Sequence, residues 1–170
     1  MTSPTGNDDE EGSRKAFQIP RLLRAAELLY GDGRILHGRI FLPVAGAHAG
    51  AVRVGEWLEG PSVFFPFLPD GEGRPLLLNK QQLLVLTMSP ASDPVEAASA
   101  TAPWRRVHIE CGPLNFEGEV LIDMPAGRQR VLDLLNRPAK FLAVRGPERR
   151  YFVRKSAISR LSEPAGRAGA

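Results

Sequence analysis

Arg128–Leu161 reads RQRVLDLLNRPAKFLAVRGPERRYFVRKSAISRL, and Val52–Leu86 reads VRVGEWLEGPSVFFPFLPDGEGRPLLLNKQQLLVL. The two stretches share landmarks. Arg53-Val54 matches Arg130-Val131, Glu56 matches Asp133, Trp57-Leu58 matches Leu134-Leu135, Pro61 matches Pro138 and Phe64 matches Phe141, all at an offset of 77 residues. Lys80 and Leu83 match Lys155 and Ile158 at an offset of 75, across a turn shortened by two residues. Upstream, Gly38 and Ile40 match Gly118 and Val120 at 80. This is an internal duplication, and a repeated unit of this kind buries its apolar surface against its neighbour.

A chain of 170 residues accommodates two such units. Units of roughly 60 residues bury a small share of their surface and are marginal alone, so the copies are expected to pack together or oligomerise. The 15 Pro and 17 Gly predict many turns and few long helices. A single cysteine, Cys111, excludes an intramolecular disulfide and fits a reducing compartment. No apolar run approaches the ~20 residues that span a bilayer. The opening MTSPTGNDDEEGSRK has no apolar core of a secretory signal. A cytoplasmic protein is the expectation. Net charge is +3 overall, but residues 101–170 hold 13 Lys+Arg against 7 Asp+Glu. The second copy is therefore basic, a field that attracts nucleic acid or an acidic partner.

Residues 1–18 are expected to be a disordered acidic tail, 19–88 a first β-barrel-like repeat, 89–103 an Ala/Pro/Ser linker, 104–162 a second, basic repeat, and 163–170 a disordered tail. Within the first repeat, Ile19–Ala26 has Pro20 at a first helical position and Leu22, Leu23 and Ala26 at helical spacing, which predicts a short helix. Glu27–Tyr30 then reads as a strand, turned by Asp32-Gly33 into the alternating Arg34–Leu42. Gly38 and Gly118 mark a bend inside a strand in each copy. Val54–Leu58 and Val131–Leu135 are spaced as helical turns, ended by Pro61 and Pro138. Ser62–Leu68 and Ala139–Arg145 are the next strands. Leu76–Leu78 and Tyr151–Val153 begin strands that continue past the lysines into Leu83–Met88 and Ile158–Leu161.

This order of elements resembles the Sm-like (LSm/Hfq-type) small β-barrel family. The resemblance rests on Gly118, on Asp133 and Asn136 in DLLN, on Phe141-Leu142-Ala143-Val144, and on Val153-Arg154-Lys155-Ser156-Ala157-Ile158. The first copy carries Glu56 and Glu59 in place of the Asp/Asn pair, and Ser156 stands where the family has glycine. The resemblance implies a mainly β protein of two tandem five-stranded small-barrel repeats with short helical turns. It also implies ring-like assembly and, more weakly, RNA binding.

No catalytic residues are assigned. His37, His48 and His108 are scattered, and His108-x-x-Cys111 on a strand points its two side chains to opposite faces, so no metal site is expected. Cys111 lacks a base and an orienting group. Gly31-Asp32-Gly33 and Gly71-Glu72-Gly73 are hairpin turns rather than phosphate loops, and no cofactor is expected. Glu117 and Glu119 share a strand face, and Asp133 reads as a local partner of Arg130.

Two residue sets remain. Arg145, Arg149, Arg150, Tyr151, Arg154 and Lys155 interleave cations with an aromatic, the pattern that neutralises phosphate and stacks bases. They are the candidate site for nucleic acid or an acidic partner. Trp57, Phe64, Phe65 and Phe67, with Leu76–Leu78, exceed what one small barrel needs, and the four aromatics are the candidate protein interface. The leading expectation is a non-enzymatic interaction or scaffold protein with a protein partner and self-association. The alternative is a small RNA- or single-strand-binding regulator working through the second copy.

Overall fold

The computed structural model describes residues 21–44, 52–92 and 102–164. The two predicted tails and the middle of the linker lie largely outside that range. Ten strands run in chain order: β1 (Arg21–Tyr30), β2 (Ile35–Pro43), β3 (Phe64–Pro69), β4 (Leu76–Asn79), β5 (Leu83–Met88), β6 (Trp104–Cys111), β7 (Leu114–Leu121), β8 (Phe141–Arg145), β9 (Arg150–Arg154) and β10 (Ile158–Ser162). Helix α1 (Val54–Glu59) precedes β3, and helix α2 (Val131–Leu135) precedes β8. All ten strands form one antiparallel sheet, ordered β10-β6-β7-β8-β9-β5-β1-β2-β3-β4.

That order has an internal period. Strands β5-β1-β2-β3-β4 make one block, and β10-β6-β7-β8-β9 repeat the same order with the second copy's strands. The blocks meet where β5 pairs with β9, with Val85 opposite Val153, Leu86 opposite Phe152, Thr87 opposite Tyr151 and Met88 opposite Arg150. The sheet is therefore continuous, and the chain is mainly β.

Two local expectations are corrected. The predicted helix at Ile19–Ala26 is absent over its described part: β1 is extended from Arg21 and pairs with β2 from Arg21↔Pro43 to Leu29↔Ile35. Each residue gained by the ladder satisfies backbone groups that a one-turn helix would leave open, so tertiary pairing overrides spacing. The strands predicted to run through Lys80 and Lys155 are instead broken by 3-10 turns at Lys80–Gln82 and Lys155–Ala157. Asn79 caps the first of these by accepting the Gln81 N–H at 2.8 Å.

The internal glycines are explained by contact. A Cβ on Gly38 would overlap the Leu68 carbonyl and the Phe67 ring. One on Gly118 would run into Val144 Cγ1 and the Arg145 carbonyl. In both copies the second strand bends so closely over the third that only hydrogen fits.

Two apolar clusters fill the fold, and each borrows from the other copy. The first holds Leu28, Ile40, Leu42, Val54, Leu58, Phe65, Phe67, Leu83, Leu86 and Met88, together with Phe141 and Phe152 of the second copy. The second holds Val107, Ile109, Cys111, Val120, Ile122, Val131, Leu142, Val144 and Val153, together with Leu29 and Val85 of the first. Alternation along β8 and β9 makes this possible: Leu142, Val144 and Val153 face their own copy, while Phe141 and Phe152 face the other.

Candidate functional site: the sheet edge and the joint

One backbone device shapes each copy. Helices α1 and α2 have only five or six residues, so their last carbonyls lack intrahelical partners. A lysine from the following 3-10 turn supplies the donors. Lys80 Nζ donates to the carbonyls of Trp57 and Gly60, both at 3.0 Å. Lys155 Nζ does the same for Leu134, Leu135 and Arg137, the last at 2.7 Å. The matched lysines thus do matched work, and Lys80 also sits 5.5 Å from the Trp57 ring centroid. Burial pushes both ammonium pKa values below the ordinary lysine value. Lys80→Met is expected to leave two carbonyls without donors and to cost about 2 kcal/mol. Lys155→Met, at a more exposed site, is expected to cost less. Urea midpoints at constant m-value measure both.

The joint between copies has its own polar clamp. Glu59, at the end of α1, accepts the backbone N–H groups of Lys140 at 2.9 Å and Phe141 at 2.8 Å. Arg154 on β9 reaches back across the joint. Its Nε donates to the Leu83 carbonyl at 2.7 Å, its Nη2 donates to the Lys80 carbonyl, and its guanidinium lies 4.6 Å from the Phe141 ring centroid. Burial lowers the Arg154 pKa from its ordinary value. Arg149 adds an ion pair to Glu27 on β1 at 3.4 Å.

The predicted basic set is therefore dispersed. Arg145, Arg150 and Lys155 line one groove of about 310 Å³ with Arg137, over a floor that includes Trp104 and Leu134. Within it Arg145 is bound to Glu119 at 2.6 Å and lies 3.7 Å over the Trp104 ring. Arg150 is buried. Arg149 stands in a separate groove beside Glu27 and His37, and Arg154 is held in the joint. Tyr151 packs on Phe116 with centroids 4.4 Å apart, on the opposite face of β9 from Arg150 and Arg154. The sequence shows five cations and an aromatic in one run; the structure gathers three of the cations.

The predicted apolar set is corrected as well. Phe65 and Phe67 are core residues, so they offer no interface. Trp57 is half-buried, edge-on to Phe65 at 5.0 Å between centroids. Phe64 alone of the four stands out, at 59% exposure. Its neighbours were not in that set: Leu77 is 74% exposed, and Val63 and Leu76 are exposed beside it. Phe64 opposes Asn79, and Pro66 opposes Leu77, across the β3–β4 pair. Phe64 and Leu77 share one face of the β3–β4 pair and form an apolar patch at β4, which ends the sheet. The signal that would have found Leu77 is its match, 75 residues on, to Phe152.

Among the described residues no group of three or more His, Cys, Asp or Glu is placed to hold a metal ion, and no helix is long and apolar enough to cross a membrane.

Comparison with models of protein families, with curated proteins and with solved structures returns no match to any of them.

Proposed function

We propose that this chain is a non-enzymatic, cytoplasmic interaction protein built from two Sm-like small-barrel repeats, with the β4 edge as its docking strand. The exposed Phe64–Leu77 patch on a terminal strand carries the reading. A strand edge offers unpaired backbone groups for a partner strand, and flanking apolar side chains add affinity and selectivity. Natural sheets blunt such edges with charge, and β4 is LLLN. The common strand order of the two blocks and the matched glycines and lysines support the repeat assignment.

A photo-cross-linking amino acid at Leu77 tests the docking strand in cells. Protein adducts are expected at Leu77 and not at Arg106, which is exposed on β6. Phe64→Asp with Leu77→Asp is expected to reduce partner recovery at least tenfold, the loss of one strong anchor. Recovery unchanged by the double substitution refutes the reading.

The groove around Arg137, Arg145, Arg150 and Lys155 supports a second reading, a single-stranded nucleic acid bound to the second copy. The salt bridge at Arg145 and the carbonyl contacts of Lys155 compete with phosphate there, so this reading ranks lower. It predicts 260 nm absorbance that salt strips from the purified protein.

A further inference from the structure

The groove beside α2 contains residues that the fold does not require. The sheet and helices are built twice, so each position of the second copy has a counterpart that shows what the fold alone needs. Lys155 has the counterpart Lys80, which closes a helix end in the same way. The other three cations of the groove have no such counterpart. Gly60 stands for Arg137 and Leu68 for Arg145 at 77 residues' offset, and Pro75 stands for Arg150 at 75. Pro66 likewise stands for Ala143. The second copy thus differs from the first by three cations and a small residue around one groove.

That groove lies over the face of β8 turned away from the second copy's own core, where Ala143 and Arg145 alternate with the buried Leu142 and Val144. Trp104 of β6 and Leu121 of β7 border it, as do Leu134 of α2 and Ala139 just after it. Its polar side chains are of one kind. Among the described residues the lining holds no Asp, Glu, Asn, Gln, Ser or Thr, whereas the two larger grooves hold Glu27, Asp70 and Glu148 in one and Glu117 and Glu119 in the other. Arg145 lies against Trp104 and is held by Glu119 at 2.6 Å. Lys155 gives its N–H groups to carbonyls, so it supplies charge alone. Arg137 is exposed and has no ion pair among the described residues.

These features define a ligand. Its body is apolar, because the walls hold no uncharged polar side chain to bond a polar one. Its head is an anion that only accepts, because every polar side chain of the lining is a cationic donor. The volume, about 310 Å³, falls at the small end of ligand sites. At about 30 Å³ for each water-sized group, it holds about ten of them. We infer that the groove binds a small amphipathic acid, an aliphatic or aromatic carboxylate of about ten non-hydrogen atoms. The Arg137 fork takes the carboxylate in two parallel hydrogen bonds, and the apolar body lies along Ala143 toward Trp104.

A nucleic acid suits this groove less well. Bases present donors and acceptors along their edges, and no amide, hydroxyl or carboxylate side chain of the lining meets them. The site is also independent of the β4 edge. Phe64 and Leu77 belong to the first copy and line no part of the groove. Docking at the edge and binding of an acid are therefore separable by experiment.

Titration of the full chain with octanoate, read by tryptophan fluorescence, tests the site. Because the ligand body lies against Trp104, a saturable change is expected, with a midpoint on the order of 100 μM for a ligand of this size. Trp104→Phe is expected to remove the change, since Trp57 is the only other tryptophan and lies outside the groove. Octanol is expected to bind at least about tenfold more weakly than octanoate. Arg137→Gln is expected to weaken octanoate by a similar factor, the loss of charge-assisted hydrogen bonds. Ala143→Leu, at an exposed position, fills the groove and is expected to abolish binding while the thermal unfolding midpoint stays unchanged. Phe64→Asp/Leu77→Asp is expected to bind octanoate as the unsubstituted chain does. The absence of a saturable change up to about 10 mM, a hundred times the expected midpoint, overturns the inference. So does octanol binding as well as octanoate, or octanoate binding that Arg137→Gln leaves unchanged, because the acid is then not held by its charge. Loss of binding in Phe64→Asp/Leu77→Asp overturns it too, since the sheet edge is then the site. An oligothymidylate that displaces octanoate at lower concentration assigns the groove to nucleic acid and likewise overturns it.

Discussion

Phe152→Ala is expected to destabilise the whole chain by about 3–5 kcal/mol, the range for emptying a buried aromatic site. Phe152 is 3% exposed and lies in the first copy's core although it belongs to the second copy's β9. The cavity opens between Leu86, directly opposite on β5, and the surrounding first-copy side chains. Because the sheet is continuous, both copies are expected to lose stability together, in a single urea transition with an unchanged m-value. Leu77→Ala at the matching position is expected to change the stability of dilute protein by no more than about 0.5 kcal/mol, as exposed substitutions do. Two separate transitions in the Phe152→Ala variant, with only one shifted, would show that the copies fold independently and that the joint is weak.

Gly38→Ala is expected to cost about 3 kcal/mol or more. The new methyl meets the Leu68 carbonyl and the Pro69 Cα, which are backbone atoms, so no side-chain rotation relieves the overlap. Gly38 is paired on both sides, with Ala26 and with Pro69, and its strand cannot move without breaking one ladder. Gly118→Ala meets the Val144 methyl first and the Arg145 carbonyl at 3.0 Å. Val144 can rotate or shift, so the second-copy variant is expected to be the milder. Thermal unfolding of the pair measures the difference. Equal shifts would mean that β2 and β7 bend alike whatever lies over them.

Much of this architecture was legible from matched residues. The offsets of 77 and 75 aligned helix with helix and lysine with lysine, and both lysines proved to close the helix ends before them. The glycine matches marked real close approaches. What spacing could not show was pairing over distance. Leu22, Leu23 and Ala26 fit a helical period, and only pairing with the distant β2 overrides it. Glu59 bonds residues 81 and 82 positions away, with no local signature. The basic run failed as a cluster for a related reason. Strand alternation splits neighbours between faces, and the joint engages Arg149 and Arg154. The apolar set failed by the same alternation, since Phe64 and Phe65 cannot face one way.

The core exchange at the joint also bears on how the chain is made. Synthesis delivers the first copy complete through Met88 while Phe141 and Phe152 are still to come. At about 5–20 residues per second, several seconds separate the two events. During that interval the cleft of Leu58, Leu83 and Leu86 has nothing to fill it, and β5 is a bare edge. The nascent first copy is then a sticky intermediate, and a strand from a neighbouring nascent chain could occupy the place reserved for β9. Expression that slows translation between the copies is therefore expected to raise the aggregated fraction, even though no residue of the finished protein has changed.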